Sequence, residues 1–215
     1  MPDHSIADFL PLVLQHAPSA PIPLAAEHLR QAAIDFCVQT RCWRYRASVA
    51  FTANPVTIPV PLNAVVHEIE RAEFDGIALE PALPGDFTDA ELSAVADDNN
   101  TPTWMTQEVP DTLIVLPPKT GTLTLNLFLK PPAGVVFGQD STRSLLPQFM
   151  FDHHAAFLAY GALASLLTLP DEAIMDAGRA GHFASLFQAR IDAMRSDFRR
   201  GQQRRMPRQT RSPWV

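Results

Sequence analysis

The sequence predicts an α+β protein in which helices from both ends of the chain form one bundle, with an antiparallel β-sandwich or barrel inserted between them. Three observations carry this prediction. Apolar residues recur at helical spacing before about residue 45 and after about residue 144. Between these stretches, apolar and polar residues alternate in short segments separated by proline-marked turns. After Asp197 the chain contains arginines but no acidic residue.

These patterns divide the 215 residues into four parts. The helices on either side of the β segment are too few to close a core alone, so they should pack together. The predicted parts are the N-terminal helices (1–45), the inserted β domain (46–135), a C-terminal helical hairpin completing the bundle (136–199) and an extended basic arm (200–215).

Two helices are predicted in the N-terminal part. Ser5 can cap a short helix over residues 5–15, which Pro11 should kink or restrict to a one-turn start. Pro23 opens a longer amphipathic helix over residues 24–44. Cys37 and Cys42 lie on this helix, point in different directions and should stay reduced. Its apolar face offers three large side chains to the bundle: Leu29, Phe36 and Trp43.

The predicted inserted domain begins at Arg46, where apolar and polar residues start to alternate along the chain. Residues 65–74 form a long candidate strand, and Asp75-Gly76 is a hairpin turn signal. Thr88 and Glu91 have the spacing of a capping box, which predicts a short helix between the strands. The last strand, residues 123–129, places four leucines on one face: Leu123, Leu125, Leu127 and Leu129.

The C-terminal hairpin is predicted from two further helices. The first, residues 145–167, is rich in small residues and should be enclosed by its neighbours. The second, starting after Pro170, repeats apolar residues with a 3-4 spacing. Its stripe is Ala177, Ala180, Ala184, Phe187, Ile191, Met194 and Phe198. The residues expected to pack in the bundle or between subunits are Leu29, Phe36, Trp43, Phe149, Tyr160, Phe187, Ile191, Met194 and Phe198.

Charge is distributed unevenly along the chain. Residues 190–215 hold eight arginines against two aspartates, whereas residues 1–189 hold nine basic against 21 acidic residues. An acidic body with a basic arm suggests self-association or docking on an acidic partner, and differs from a general nucleic-acid binder. The arm is expected to be disordered alone, either as a solvated terminus or as an anchor. Its candidate docking residues are Arg199, Arg200, Arg204, Arg205, Arg208, Arg211, Trp214 and Val215.

Sequence signals for catalysis are few. The sequence contains no nucleotide-binding glycine motif, nucleophile elbow or C-x-x-C, and no cofactor is expected. Asp152, His153 and His154 could bind a metal or transfer protons, but consecutive helical residues point about 100° apart and do not converge. The sequence also shows no signal-peptide pattern and no run of about 18 apolar residues, so no membrane association is expected.

The stretch PLAAEHLRQAAIDFCVQTRCW, residues 23–43, resembles the opening of the tailed-phage head-to-tail adaptor, or connector, proteins. The tail tubular protein A of T7-like phages is a more distant relative of that family. A late pattern from Leu146-Pro147 through YGALASLL to Pro170, followed by a basic tail, also matches. The resemblance covers nearly the whole chain, and its motifs are structural.

The resemblance implies a structural, non-enzymatic virion protein of the neck, made in the host cytoplasm. Twelve subunits would form a ring below the portal protein, extend the DNA channel and receive a tail nozzle or tail tube protein and tail fibres. The arm would dock into the portal, and the genomic DNA would pass without sequence-specific binding. Three alternatives stay open: another neck or tail-completion protein, a metal-dependent hydrolase using Asp152, His153 and His154, and a DNA-binding protein using the arm.

Overall fold

The computed structural model describes residues 3–92, 100–134 and 144–198, with side chains up to Arg195. The described helices are α1 (Leu10–Leu14), α2 (Ile22–Thr40), α3 (Asp89–Leu92), α4 (Gln148–Leu166) and α5 (Ala177–Phe198), with 3-10 turns at Ile6–Asp8 and Pro84–Asp86. The described strands are β1 (Asp3–Ser5), β2 (Arg44–Phe51), β3 (Val56–Thr57), β4 (Val65–Phe74), β5 (Ile77–Ala78), β6 (Glu80–Pro81), β7 (Trp104–Thr106), β8 (Thr112–Leu116), β9 (Gly121–Lys130) and β10 (Leu145–Pro147). These elements confirm the α+β class.

The bundle forms around α4, which packs against α1, α2 and α5 as its small residues predicted. Gly161 lies where α4 contacts both α2 and α5. A Cβ atom at this position would lie 2.9 Å from the Cβ of Ala32 on α2 and 2.9 Å from the Phe187 ring on α5. A glycine at this crossing therefore allows a helix spacing that a larger residue would prevent.

The chain start follows the prediction for Ser5. The Ser5 hydroxyl accepts the Ala7 N–H at 3.2 Å, and the Asp8 carboxylate accepts the Ser5 N–H at 3.2 Å. Pro11 then lies in the first turn of α1, where its missing N–H costs nothing. This confirms a one-turn start before the helix.

Two predicted helix ends were wrong. Residues 145–147 form β10 instead of the first turn of α4, because they pair antiparallel with β1 from the other end of the chain. The second helix of the hairpin starts at Ala177 and not after Pro170. There the Asp176 carboxylate accepts the Arg179 N–H at 2.9 Å, as a helix N-cap does.

The end of α2 was also misplaced, by four residues. The helix stops at Thr40 because Arg41 adopts a left-handed conformation, with φ of 53°. Cys42 therefore lies beyond the helix, and the expectation that the two cysteines point apart was wrong. The Cys37 and Cys42 thiols share a hydrogen bond that lowers the pKa of Cys42, while burial raises the pKa of Cys37. Both cysteines are free.

The buried stripe of α5 differs from the seven-residue repeat. Ala180, Phe183 and Ile191 are buried, whereas Ala177 and Ala184 are exposed. A straight helix turns every 3.6 residues, so Phe183 takes the place on the buried side that the strict repeat gave to Ala184.

The insert contains two four-stranded sheets, with strand orders β2-β9-β4-β5 and β3-β8-β7-β6. Pairing is antiparallel except between β6 and β7, which run parallel. The predicted leucine face of β9 is fully buried. Asp75 and Gly76 both have positive φ, of 46° and 84°, which confirms the hairpin turn.

The bundle and the insert share one continuous core. The buried Arg30 of α2 donates from Nε to the Pro132 carbonyl at 2.7 Å, just beyond β9. The Leu129 N–H donates to the Trp43 carbonyl at 2.8 Å. None of the described helices has the length and apolar character needed to cross a membrane.

Candidate interaction surfaces

The structure places the Asp152-His153-His154 cluster on α4 without bringing its side chains together. Asp152 and His153 are exposed, whereas His154 is only 5% exposed. The His154 ring lies 4.9 Å from the Phe36 ring. Burial, aided by the Arg190 charge, lowers the pKa of His154 to about 4. His154 is therefore a neutral core histidine at pH 7, and the described residues include no group of three His, Cys, Asp or Glu that could hold a metal ion.

The residues predicted for packing lie in the bundle of this subunit. Leu29, Phe36 and Ile191 are fully buried. Trp43 is 8% exposed and meets the edge of Phe149 with 6.5 Å between ring centres. The half-buried members are Phe149, Tyr160, Phe187 and Met194. The Phe198 side chain and the predicted arm, from Arg199 to Val215, lie outside the described residues.

An arginine–aromatic strip runs across α4 and α5. We define it as Arg179, Phe183, Tyr160, Phe157 and Arg190. The Phe183 and Tyr160 rings stack at 5.5 Å, and Tyr160 meets the edge of Phe157 at 6.0 Å. The guanidinium carbons of Arg179 and Arg190 lie 5.8 and 4.9 Å from the centres of the rings at the two ends. The strip thus presents a stacked aromatic centre between two cations.

Neither guanidinium group of the strip forms an ion pair with a described carboxylate, and the Asp176 carboxylate accepts the backbone N–H of Arg179. The side chain of Arg179 donates to the His16 carbonyl at 3.0 Å, and that of Arg190 lies 3.5 Å from His154 Nδ1. The buried Nε of Arg190 makes no hydrogen bond in the described part of the chain. Arg195, further along α5, instead pairs with Asp192 at 3.6 Å. A half-buried cation without a counter-ion is unfavourable, and a carboxylate from outside would relieve this cost.

The insert carries the opposite charge. Residues 46–135 contain twelve Asp and Glu against four Lys and Arg. The turn between β7 and β8, residues 107–111, projects between two grooves of about 310 and 290 Å³, and Glu108 lines both. We call residues 107–111 the Glu108 turn. Val109 at its tip is 57% exposed, so the turn combines apolar and acidic groups at the surface.

A second charged cluster lies at the joint between α2 and the insert, and its charges are already paired. Arg41 bonds to Glu68 at 2.7 Å and Arg44 to Glu70 at 3.0 Å. Both guanidinium groups also lie within 6 Å of the Phe128 ring centre. This cluster neutralises itself, so it fastens the joint and leaves little charge for a partner.

The sequence reading overlooked the strip and the Glu108 turn. Part of the strip could have been predicted from helical spacing. Phe157 and Tyr160 are three residues apart on one helix, and Arg179 and Phe183 are four residues apart on the next. Their meeting across two helices, however, depends on how α4 and α5 pack.

Comparison with known families assigns the chain to a class. Residues 5–213 match the model of the SU10 adaptor protein family. Because the match spans nearly the whole chain, the chain belongs to this family. It is a structural adaptor protein of a bacteriophage virion, placed in the neck, where it assembles with portal and tail proteins. No curated protein is similar enough to the chain to be matched to it.

Proposed function

We propose that twelve copies of this protein form a ring below the portal, extend the DNA channel and receive the tail. In this proposal the arm of each copy, residues 200–215, docks into the portal together with the adjoining Arg199, with Trp214 as an apolar anchor. The tail side of the ring binds a nozzle or tube protein. The predicted division at residues 45, 135 and 199 assigns the bundle and the insert to the ring and the arm to the portal.

The observation that carries this proposal is the extent of the family match. It continues to residue 213, so the basic arm is part of the pattern that defines the family and not an addition to this chain. A segment that orders only on its partner can wrap a large surface at moderate affinity. Repetition around a ring multiplies such affinities, which makes the attachment effectively permanent.

Charge supports the same arrangement. The arm brings its arginines without acidic residues, whereas the insert is strongly acidic. We propose that the acidic insert faces neighbouring subunits, the tail or the channel, where carboxylates would repel DNA and let it slide. Reversing the lumen charge while DNA ejection stays normal would contradict the role in the channel. The distant relationship to tail tubular protein A stays a prediction.

The decisive experiment deletes residues 202–215 and measures whether tails still join filled heads. We expect a folded protein, as judged by circular dichroism and thermal unfolding, that fails to join heads to tails. Replacing Arg204, Arg205, Arg208 and Arg211 by Gln should weaken joining, and Trp214→Ala should weaken it independently. The matched control is Arg195→Gln on α5, which removes a positive charge outside the arm. Normal joining by the deleted protein would refute the role of the arm.

A further inference from the structure

Two surfaces of this subunit carry charges that the subunit does not neutralise. The guanidinium groups of Arg179 and Arg190 have no carboxylate oxygen within 4.0 Å among the described residues. The Glu108 carboxylate, between β7 and β8, has no basic partner within that distance in the described ranges. The paired clusters at Arg41 and Arg44 show that this chain does pair exposed charges elsewhere.

The two surfaces also match in chemistry. The strip offers the half-buried rings of Tyr160 and Phe157 between two guanidinium groups, whereas Phe183 beneath them is buried, and Arg190 is half-buried. The Glu108 turn offers a carboxylate beside the exposed Val109 and Pro110. Apolar contact with the half-buried Tyr160 and Phe157 rings would bury Val109, and the carboxylate would supply a counter-ion for the half-buried Arg190 guanidinium.

The positions of the strip and the Glu108 turn determine what kind of contact two copies can form. The strip lies on α4 and α5, and the turn lies between β7 and β8, so one copy presents both halves of the contact on different parts of its fold. A contact between two different surfaces of identical subunits is heterologous, and it closes into a ring when its rotation closes. A symmetric pair would instead use the same patch twice.

We propose that the Glu108 turn of one copy docks on the arginine–aromatic strip of the next copy, and that this is the repeating contact of the ring. The inference rests on the proposed ring and names its interface. Charge pairs at the centre of protein interfaces are often strongly coupled, so each member should matter to association more than a rim charge does.

The test uses the full chain and charge reversal. Arg190→Glu and Glu108→Arg each place like charges together, and each should weaken self-association by more than about tenfold, as measured by sedimentation velocity and native mass spectrometry. Because Arg190 is half-buried, Arg179→Glu repeats the test from the exposed end of the strip. Arg195→Glu on α5 and Glu80→Arg on the insert are matched controls and should associate like the parent.

Mixing the variants gives the sharpest result. In an equal mixture of the Arg190→Glu and Glu108→Arg chains, every contact between unlike copies joins Glu to Arg, so the mixture should associate although neither variant does alone. Such rescue is expected only when the two residues meet across copies.

Three results would overturn the inference. One is unchanged self-association of both Arg190→Glu and Glu108→Arg. Another is a parent chain that stays monomeric up to about 1 mM, because a dissociation constant of about 1 mM corresponds to only about 4 kcal/mol of binding free energy. The third is a loss of self-association in Arg190→Glu that mixing with Glu108→Arg does not restore. If Arg190→Glu then also loses binding to duplex DNA, the strip binds DNA phosphates and not a second copy. The chain lacking residues 202–215 should still associate, which separates this interface from the role of the arm.

Discussion

The helical bundle and the β insert treat charged and titratable groups in opposite ways. The bundle buries Arg30 and His154, the former only 1% exposed, beneath closely packed helices. The insert buries apolar side chains and a few neutral polar ones, and keeps all of its described charged residues exposed or half-buried. The bundle's stability therefore depends on steric fit and protonation, whereas the insert's charged groups keep their contact with solvent.

The strongest test of this contrast asks whether the two regions unfold together. Leu125 is fully buried in β9, and Leu125→Ala should reduce the free energy of unfolding by about 3–4 kcal/mol. Because the core is continuous, helical circular dichroism and Trp104 fluorescence should shift together in urea. The fluorescence is read with Trp43 and Trp214 replaced by Phe, in the parent and in the variant. Separate transitions would show that the two regions are independent.

A matched pair of glycines tests the steric fit of the bundle. Gly161→Ala should cost about 1–3 kcal/mol, because the new Cβ meets Ala32 and Phe187 at 2.9 Å. Gly181→Ala on α5 meets nothing within 4 Å and should stabilise the protein by about 0.5–1 kcal/mol. Thermal unfolding of the two variants measures the difference. Equal effects would mean that the helices can move apart freely.

Protonation provides a third test. The pKa of His154 is lowered to about 4, so below its ordinary value of 6.5 the unfolded chain binds a proton that the folded chain refuses. Stability should therefore be fully present above pH 6.5 and fall as the pH drops towards 4, by about 1–2 kcal/mol after allowance for solvent screening. His154→Gln should flatten this part of the pH profile relative to the parent. The exposed His153→Gln is the comparison variant and should change the profile much less, because His153 contributes less than burial and Arg190 to the lowered pKa of His154.

The smallest effect is expected at the joint. Arg41 and Glu68 are both well exposed, so Glu68→Gln should change the free energy of unfolding by no more than about 0.5–1 kcal/mol, and high salt should reduce the difference further. Glu80→Gln, which lacks this contact, serves as the reference in the same urea series. A loss of several kcal/mol would mean that the joint, and not the shared core, holds the insert to the bundle.

Local patterns in the sequence determined much of the fold. The alternating leucines of β9, the turn at Asp75-Gly76 and the cap at Ser5 depend on neighbours within a few residues, and the structure has each of them. The resemblance to head-to-tail adaptors was carried by motifs at the two ends of the bundle, and the family match agrees with it.

Tertiary structure decided what depends on distant partners. Residues 145–147 become a strand because β1, at the other end of the chain, supplies their hydrogen bonds. The strip forms because the packing of α4 on α5 brings Phe157 and Tyr160 beside Arg190 and Phe183. Sequence spacing specifies which residues share one face of one element. The free energy of pairing between elements, summed over the whole core, specifies which faces meet.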